Sequence, residues 1–387
     1  MKLKNTQSRW ILLLFLSWTA TGLTQQNDSL AREERKAIMR DTLDGAFDFS
    51  RYLIDAKGFI PIPVIVTEPA LGGFGLFLAP VFLTPKHMEG YDGYLPPDIT
   101  GVAGMYTSNN SWFAGAFRMG SFLKAGLRYR ALVGYTSLNL TFYRDFPSLA
   151  KSDFEFNIDA LPVYLSLSRR VFKQDVYLGL QYLYSKTETQ PLFEGDLPDF
   201  VPEVDLAKNT GTLGTFIDWD KRSNFFTPDF GTRVYAIYNI NAPWTGSQYK
   251  SERVNFFFNW FARFKPDWIS GLRGEVQQLF GEPPFYTYPA INMRGVPAAK
   301  YQGNTTFLVE TEQRYDLNLR WSVLGFMGYA RTWYNDEALN DGKDIISGGA
   351  GFRYLIAREF NIRSGVDIAT GPDGLAWYIV FGHNWNR

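Results

Sequence analysis

Hydrophobic and polar residues alternate along most of this chain. From Leu71 onward, stretches of about ten residues carry apolar side chains at every second position, and turn residues separate the stretches. In Arg253–Phe264, one face holds Val254, Phe256, Phe258, Trp260, Ala262 and Phe264, and the other holds Arg253, Asn255, Phe257, Asn259, Phe261 and Arg263. A period of two over this length predicts β-strands with one apolar and one polar face.

Sixteen such stretches predict an all-β chain that folds as a 16-stranded antiparallel transmembrane β-barrel. Their approximate ranges are 72–84, 100–108, 111–119, 125–135, 136–144, 157–168, 174–186, 209–219, 230–241, 252–263, 269–280, 304–316, 320–332, 346–357, 360–370 and 374–385. Asn109-Asn110 predicts a tight turn, whereas long outer loops are predicted at 85–99, 187–208, 281–303 and 333–345. Short periplasmic turns and long outer loops are typical of bacterial outer-membrane barrels, and an even strand number brings both termini to the periplasmic end.

A soluble, exported β-sandwich or propeller would also show this alternation. The solvent face of such a protein should be uniformly charged, but the polar face here holds mostly Gly, Asn, Thr and Tyr. Aromatic residues recur near the predicted strand ends, as in the girdles that flank a membrane-facing band; these are Trp112, Trp219, Trp268, Trp333, Trp377 and Trp385. The pattern therefore favours a barrel. The barrel must be closed, because a free sheet edge in hydrocarbon leaves backbone groups unpaired.

The composition supports this interpretation and narrows the possible chemistry. Aromatic residues make up 17 % of the 387 residues, and together with 35 glycines they favour strands over helices. The absence of cysteine excludes disulfides and thiolate metal sites. Because 39 acidic residues balance 39 basic ones, no basic face for nucleic acid is indicated. We expect no cofactor and no metal, and the oligomeric state is not indicated.

The N-terminus has the pattern of a targeting segment. Lys2, Lys4 and Arg9 precede the apolar run Trp10–Trp18, which small and polar residues follow. This order predicts a cleaved signal peptide within residues 1–24. The apolar run is too short for a membrane-spanning helix. The mature chain is therefore expected to be exported to the bacterial outer membrane.

Residues 25–70 are predicted to form a periplasmic or lumenal leader, and residues 71–387 the barrel. The first part of the leader is polar and charged and is compatible with a solvated helix. Phe59–Pro69 then contains three prolines in eleven residues. Proline forbids a helix interior and a central strand, so this segment is predicted to be extended chain.

Enzyme signatures are scarce, and we do not expect catalysis. The sequence contains no Gly-x-Ser-x-Gly, no His-Glu-x-x-His and no phosphate-binding glycine loop. Its two histidines are far apart: His87 falls in a predicted outer loop and His383 on the last predicted strand. Asn335–Asp344 has enough carboxylates for calcium, but their spacing is not that of an EF-hand. A solvated outer loop is the better interpretation of that segment.

Three further stretches resemble a known family when taken in order. The first is Asp218-Trp219-Asp220-Lys221-Arg222, followed by Pro228 and Gly231, and the second is Met293-Arg294-Gly295-Val296 within the long loop 281–303. The third comprises the C-terminal runs Gly348–Arg353, Gly365–Ala369 and Trp377–Gly382. In this order and spacing, from Gly72 to Arg387, the chain resembles the bacterial surface-antigen superfamily of outer-membrane barrels, the BamA/TamA-like proteins.

The resemblance implies roles for two of these motifs. Asp218, Asp220, Arg222, Pro228 and Gly231 match the motif that marks a periplasmic turn in the middle of the barrel. Arg294, Gly295 and Val296 match the tip of the sixth outer loop, which in the family folds back into the lumen. Two positions depart from the family pattern. Val296 replaces an aromatic residue, and Gly328 replaces an aspartate that pairs with the loop arginine in many members.

The chemistry of arginine leads to a second expectation. A guanidinium held inside a barrel needs a carboxylate, ideally as a two-pronged hydrogen-bonded pair. Glu310 and Glu312 on the twelfth predicted strand, and Asp367 on the fifteenth, are the candidate partners. Such a pair would hold the loop in the lumen, whereas the alternative is that Arg294 is an ordinary exposed loop residue.

For function, the resemblance implies a part in outer-membrane biogenesis: protein or lipid is inserted or translocated through a weak seam between the first and last strands. Its expected partners are outer-membrane lipids, client outer-membrane proteins and periplasmic proteins. Because residues 25–70 are too few for a client-binding POTRA module, the resemblance is to a shorter branch that lacks these modules. The alternative is a passive pore or a structural scaffold of the outer membrane.

Overall fold

The computed structural model of this chain describes residues 38–55, 59–84, 98–143, 153–171, 176–198, 200–335 and 341–385. The chain divides into two compact units, residues 1–55 and 56–387. The predicted signal peptide, residues 1–24, lies outside the described residues. In the part of the chain that the structure describes, no helix has the length and hydropathy to cross a membrane.

The described part of the N-terminal unit is small. It holds one helix, α1 (Ser50–Asp55), and an antiparallel bridge between Arg40 and Phe47. The Asp48 carboxylate accepts a hydrogen bond of 2.7 Å from the backbone N–H of Ser50, the first residue of the helix.

Sixteen strands make up the larger unit. They are β1 (Phe59–Val66), β2 (Gly75–Thr84), β3 (Asp98–Thr107), β4 (Trp112–Phe122), β5 (Leu127–Tyr143), β6 (Asp153–Arg170), β7 (Val176–Pro191), β8 (Ala207–Asp220), β9 (Gly231–Asn241), β10 (Ser251–Lys265), β11 (Trp268–Gly281), β12 (Thr305–Asp316), β13 (Trp321–Trp333), β14 (Lys343–Ala357), β15 (Ile362–Gly371) and β16 (Gly374–Phe381). Short 3₁₀ helices lie at Pro69–Leu71, Leu123–Ala125, Glu203–Asp205, Pro243–Thr245, Phe285–Thr287 and Arg358–Phe360.

Each strand pairs antiparallel with the next in sequence, so the predicted sixteen-stranded barrel is confirmed. The set of strands nevertheless differs from the prediction at two places. β1 lies in the segment that was predicted to be leader, so the barrel begins at Phe59 rather than Leu71. The stretches predicted at 125–135 and 136–144 are one strand, β5. The two errors offset each other in the count.

The prolines of β1 explain why the sequence pattern did not predict this strand. Pro61 lies opposite Pro80 of β2, and neither residue has an N–H, so the ladder bonds must run through the flanking Ile60 and Ile62. Successive residues direct their backbone groups to opposite sides of a strand, so the nitrogens of Pro61 and Pro63 face away from β2. Proline is readily tolerated in this way at a sheet edge. The prolines exclude a central strand, as predicted, but not an edge strand.

The other sheet edge is β16. Strand β1 approaches β16 with Cα atoms within 8 Å, yet no ladder of hydrogen bonds joins the two strands over their described residues. The barrel is therefore nearly closed, and we call the gap between β1 and β16 the seam.

The two faces of the sheet match the predicted alternation. The outward face carries exposed large apolar residues around the barrel, among them Leu78, Leu165, Leu180, Val254, Phe256, Val276, Val309, Val323, Ile368 and Trp377. The inward face buries polar and charged residues, among them Arg273, Glu275, Gln277, Glu310, Arg314 and Asp367. An apolar exterior around a polar interior is the arrangement of a barrel surrounded by lipid.

Two connections lie at the opposite end of the barrel from the one predicted. We call the end where β1 begins and β16 ends the terminal end, and the opposite end the loop end. Residues 85–97 lie outside the described residues, but Thr84 and Asp98, which flank them, lie at the terminal end and not at the predicted outer end. The Asn109-Asn110 turn lies at the loop end instead. Both errors follow from missing β1, which shifts the direction of every strand before β6 by one.

Candidate functional site

The long connection between β11 and β12, residues 282–304, folds into the lumen; we call it the inward loop. Its two arms pair with each other through an antiparallel bridge between Ala290 and Gln302 and a hydrogen bond of 2.9 Å from Ile291 N to Tyr301 O. The tip is a turn in which Val296 N donates to Met293 O at 3.1 Å. Gly295 has a φ of +82°, which favours glycine. The loop is thus a narrow hairpin that presents Arg294 at its tip.

Apolar contacts hold this tip against the inner wall. Met293 and Val296 are 4 % and 3 % exposed, in a cluster that includes Leu308 of β12 and Ile345 of β14. Gly328 of β13 leaves the space that the loop fills, because a Cβ atom there would lie 2.3 Å from the Met293 sulfur. An aspartate at position 328, which many BamA/TamA-like members carry, would require the Met293 side chain of the loop to move.

The Arg294 side chain is buried and is bound on several sides. Its Nε and Nη2 donate to Glu310 Oε1 at 3.2 and 2.9 Å, and its Nη1 donates to Asp367 Oδ2 at 2.8 Å. Glu312 Oε2 lies 2.8 Å from Nη1 without a hydrogen bond, so that contact is ionic. The guanidinium carbon also lies 3.5 Å from the centre of the Phe326 ring. The structure brings all three candidate carboxylates to Arg294.

Two more arginines belong to this arrangement, which we call the lumenal ion network: Arg273, Arg294, Arg353, Glu275, Glu310, Glu312 and Asp367. Arg273 bonds Glu275 at 2.6 Å and Glu310 at 3.2 Å, and Arg353 bonds Asp367 at 2.9 Å. Three guanidiniums face four carboxylates, and every member of the network except the half-buried Glu312 is buried. Removing a single charge leaves its partners buried without compensation.

The inward loop also contacts both sides of the seam. Gly295 N donates to the Tyr378 hydroxyl of β16 at 2.9 Å, and Tyr301 donates to Asp373, which precedes β16, at 3.0 Å. Ala298 N donates at 3.0 Å to Glu68, which follows β1. The loop therefore spans the loop end of the seam.

Aromatic packing covers another part of the inward loop at the loop end. Phe285 is 3 % exposed and packs against Phe142 of β5 and Phe156 of β6, with ring centroids 4.9 Å apart in each pair. Burial raises the pKa of the neighbouring Tyr286 phenol. The loop is thereby anchored to the wall opposite the lumenal ion network.

The predicted periplasmic turn motif lies around residues 221–230, which we call the floor turn. Asp220 binds Arg222 at 2.8 Å, and Asp218 binds Arg233 at 3.0 Å. Pro228 is fully buried. Gly231 has a φ of +106°, and a Cβ atom there would lie 2.2 Å from the Lys221 carbonyl oxygen, so glycine is required.

The floor turn reaches across the terminal end to the far wall of the barrel, which the sequence did not predict. Asn224 donates to Phe360 O at 2.9 Å, and Asn361 donates to Thr227 O at 2.9 Å, so the turn binds the connection between β14 and β15. Asp229 also accepts a hydrogen bond from Arg314 of β12. The turn thus forms a floor beneath the lumenal ion network.

The C-terminal segment, residues 382–385, is a second feature that sequence reasoning missed. β16 ends at Phe381, and Gly382 turns the chain inward with a φ of +81°. His383 N then donates to Phe226 O of the floor turn at 2.8 Å, and the His383 ring lies 3.1 Å from Arg222. The predicted strand end at 385 is therefore wrong.

Trp385 joins the C-terminal segment to the lumenal ion network. Its indole N–H donates to Glu310 Oε2 at 2.9 Å, and its ring packs on Phe261 with centroids 5.5 Å apart. It is 3 % exposed, so its predicted role in a membrane-facing aromatic girdle is wrong. One carboxylate, Glu310, thus holds the inward loop and the C-terminal segment together.

Replacing Trp385 by phenylalanine should lower the free energy of unfolding by about 1–3 kcal/mol, because the packing stays while a buried carboxylate loses a donor. Thermal unfolding followed by gel mobility measures this change. Trp377→Phe is the matched control, since Trp377 is an exposed residue of β16, and its effect should be clearly smaller. Equal effects of the two substitutions would show that the indole hydrogen bond contributes nothing.

Those of the remaining candidate residues that the structure describes form no further site. His87, Asp336 and Glu337 lie outside the described residues. Asp344 pairs with Arg331 at 3.0 Å at the loop end of β13 and β14.

No protein-family profile matches the chain, and no curated protein sequence matches it. Among solved structures, BamA from Haemophilus ducreyi lacking POTRA domains 1–3 superposes with a TM-score of 0.55 at 13 % identity, covering 91 % of this chain and 81 % of that one. CdiB from Escherichia coli superposes with a TM-score of 0.59 at 10 % identity, covering 83 % of this chain and 61 % of the CdiB chain. CdiB from Acinetobacter baumannii superposes with a TM-score of 0.52 at 7 % identity, covering 84 % of this chain and 60 % of that CdiB chain.

These likenesses establish the fold. The chain has the barrel fold of BamA and CdiB and spans about three fifths of the CdiB chains. The resemblance to BamA/TamA-like barrels that the motifs indicate is confirmed at the level of the fold.

Proposed function

We propose that this chain, which has the barrel fold of BamA and CdiB, is a BamA/TamA-like protein of the bacterial outer membrane that takes part in outer-membrane biogenesis. In this proposal the barrel inserts or translocates protein or lipid through the seam between β1 and β16. Its partners are membrane lipids and client outer-membrane proteins.

The unpaired seam is the observation that carries the proposal. Pro61 and Pro63 direct ring nitrogens, not N–H donors, toward the side of β1 that faces β16. A complete hydrogen-bonded ladder across the seam is therefore unavailable to this sequence, and the seam is the weakest strand junction of the barrel. The edge of β16 contains no proline between Gly374 and Phe381, so this edge can pair with an incoming strand.

The inward loop supports a coupled opening of this seam. It bonds Glu68 beyond β1 and both Asp373 and Tyr378 at β16. Its tip is bound in turn to the lumenal ion network. Separation of β1 from β16 must therefore break or carry along contacts of the loop, so loop position and seam state change together.

The obstructed lumen favours this function over a passive pore. The inward loop fills part of the lumen from the loop end, and the floor turn and C-terminal segment cross it from the terminal end. A large, steady ionic conductance in planar bilayers would contradict this account and favour the pore.

Depletion of the protein from its host, followed by quantitative proteomics of the outer membrane, tests the proposal. We expect a defined set of barrels or surface lipoproteins to be lost and to return when the wild-type chain is re-expressed. An unchanged outer-membrane proteome would refute a role in protein assembly and leave a pore, a lipid-handling protein or a scaffold.

A further inference from the structure

Arginines on two opposite walls of the lumen differ in whether they contact a carboxylate. In the lumenal ion network each arginine contacts a carboxylate: Arg273 contacts Glu275 and Arg294 contacts Glu310. On the opposite wall, Arg128 and Arg130 of β5 have no carboxylate partner among the described residues. Both are exposed and line a small space inside the barrel, which we call the chamber. Its other lining residues are Tyr164, Ser166, Ser168, Tyr177, Phe216, Asp218 and Tyr235.

The chamber around these arginines is rich in hydrogen-bond donors. Arg130 lies opposite Ser166 of β6, and Arg128 lies opposite Ser168. The two serines are 9 % and 8 % exposed, and across the described parts of the chain their hydroxyls have no hydrogen-bond partner. Two cations and two uncommitted hydroxyls thus face one small space.

The carboxylate of the chamber is paired with an arginine other than Arg128 and Arg130. Among the described residues, Asp218 is the carboxylate that lines the chamber, and both of its oxygens accept hydrogen bonds from Arg233, at 3.0 and 3.2 Å. The Arg128 guanidinium stacks on the Tyr177 ring at 3.6 Å. Stacking fixes the plane of the guanidinium and leaves its N–H edges free for a planar or tetrahedral oxyanion.

We propose that this chamber is an anion-binding site that takes a phosphate-type oxyanion. Arginine donates paired hydrogen bonds to phosphate oxygens, and the two serine hydroxyls supply further neutral donors. The site lies near the start of β5 and the end of β6, so its ligand enters from the terminal end. Free phosphate and the headgroup of a phospholipid share this chemistry.

Calorimetric titration of the full chain in a neutral detergent with inorganic phosphate tests the proposal. Wild-type protein should bind phosphate saturably, and Arg128→Gln and Arg130→Gln should each weaken binding about tenfold, because each removes a charge-assisted pair. Lys186→Gln is the matched control: it removes one exposed cation, paired with Glu188 outside the chamber, and should leave binding unchanged.

Heat-modifiable gel mobility shows whether each variant is folded, so a misfolded variant does not enter the comparison. Ser166→Ala with Ser168→Ala gives a second, charge-neutral test and should also weaken binding. Absence of saturable binding to the wild type at millimolar phosphate would overturn the proposal. Binding that persists equally in the Arg128→Gln, Arg130→Gln double variant would overturn it too.

A second titrant separates the two sources of the anion. Short-chain dihexanoyl phosphatidic acid carries the same phosphate on a lipid. Competition of this lipid with inorganic phosphate in the wild type would identify a headgroup site. Binding of phosphate alone would identify a site for the free oxyanion. Because these readouts do not involve membrane assembly, they are independent of the proposed role in biogenesis.

Discussion

Replacement of Arg294 by alanine should lower the free energy of unfolding by about 3–5 kcal/mol, the range expected when one member of a buried ion pair is removed. The substitution leaves Glu310 paired with Arg273 and Asp367 paired with Arg353, and it removes the ion pair of Glu312 with Arg294. It also removes the hydrogen bonds that hold the loop tip in the lumen. Urea unfolding of the protein in lipid vesicles measures the difference.

Two variants show whether the effect comes from the buried network. Arg294→Lys keeps the charge but loses the two-pronged contact with Glu310, and it should fall between the wild type and Arg294→Ala. Lys186→Ala breaks an exposed pair with Glu188 and should have no measurable effect. If Arg294→Ala were no more harmful than Lys186→Ala, the loop would not be held by its charge.

The barrel was predictable from the sequence because period-two alternation distinguishes the apolar face of each strand from its polar face. β1 was not predictable in the same way, since its prolines forbid only an interior strand and nothing local marks the sheet edge. The split of β5 has a similar origin. Gly134 and Thr136 interrupt the apolar pattern there, although they continue a single strand through its pairing with β4.

The residues around Arg294 were predictable from the sequence, but their contacts were not. Strand parity places Glu310, Glu312 and Asp367 on the inward face, and the resemblance supplies Arg294. Which carboxylate binds depends on how deep the loop descends, and the structure uses all three. The space at Gly328 that admits Met293 is a tertiary fact with no local signal.

The turn motif was predicted from the sequence, but the contacts of the floor turn and the course of the C-terminal segment were not. His383 and Trp385 continue the alternation of β16, so the pattern predicts that the strand runs on to residue 385. Gly382 is the one signal that could have revealed the inward turn, since glycine is favoured at positive φ. The hydrogen bonds of His383 to Phe226 and of Trp385 to Glu310 join residues that are distant in sequence.

A disulfide across the seam should abolish function almost completely if opening of the seam is required. The chain contains no cysteine, so an introduced pair is the only one that can form. Ile65 and Leu375 suit the purpose because both are exposed residues next to the loop end of β1 and β16, and Trp377 and Ile379 offer alternative partners. The geometry of a disulfide requires the two strands to come together.

A second disulfide provides the matched control. Val366 and Ile379 lie directly opposite each other in the ladder between β15 and β16. Opposed residues of antiparallel strands are close enough for a disulfide, so cysteines there cross-link β16 without closing the seam.

The most direct test of the central claim is the outer-membrane proteome of depleted cells that express the seam-locked chain, with and without a reductant. We predict that the locked chain fails to restore the lost proteins, that reduction restores them, and that the control disulfide between β15 and β16 has no effect. Full restoration by the locked chain under oxidising conditions would contradict transport through the seam.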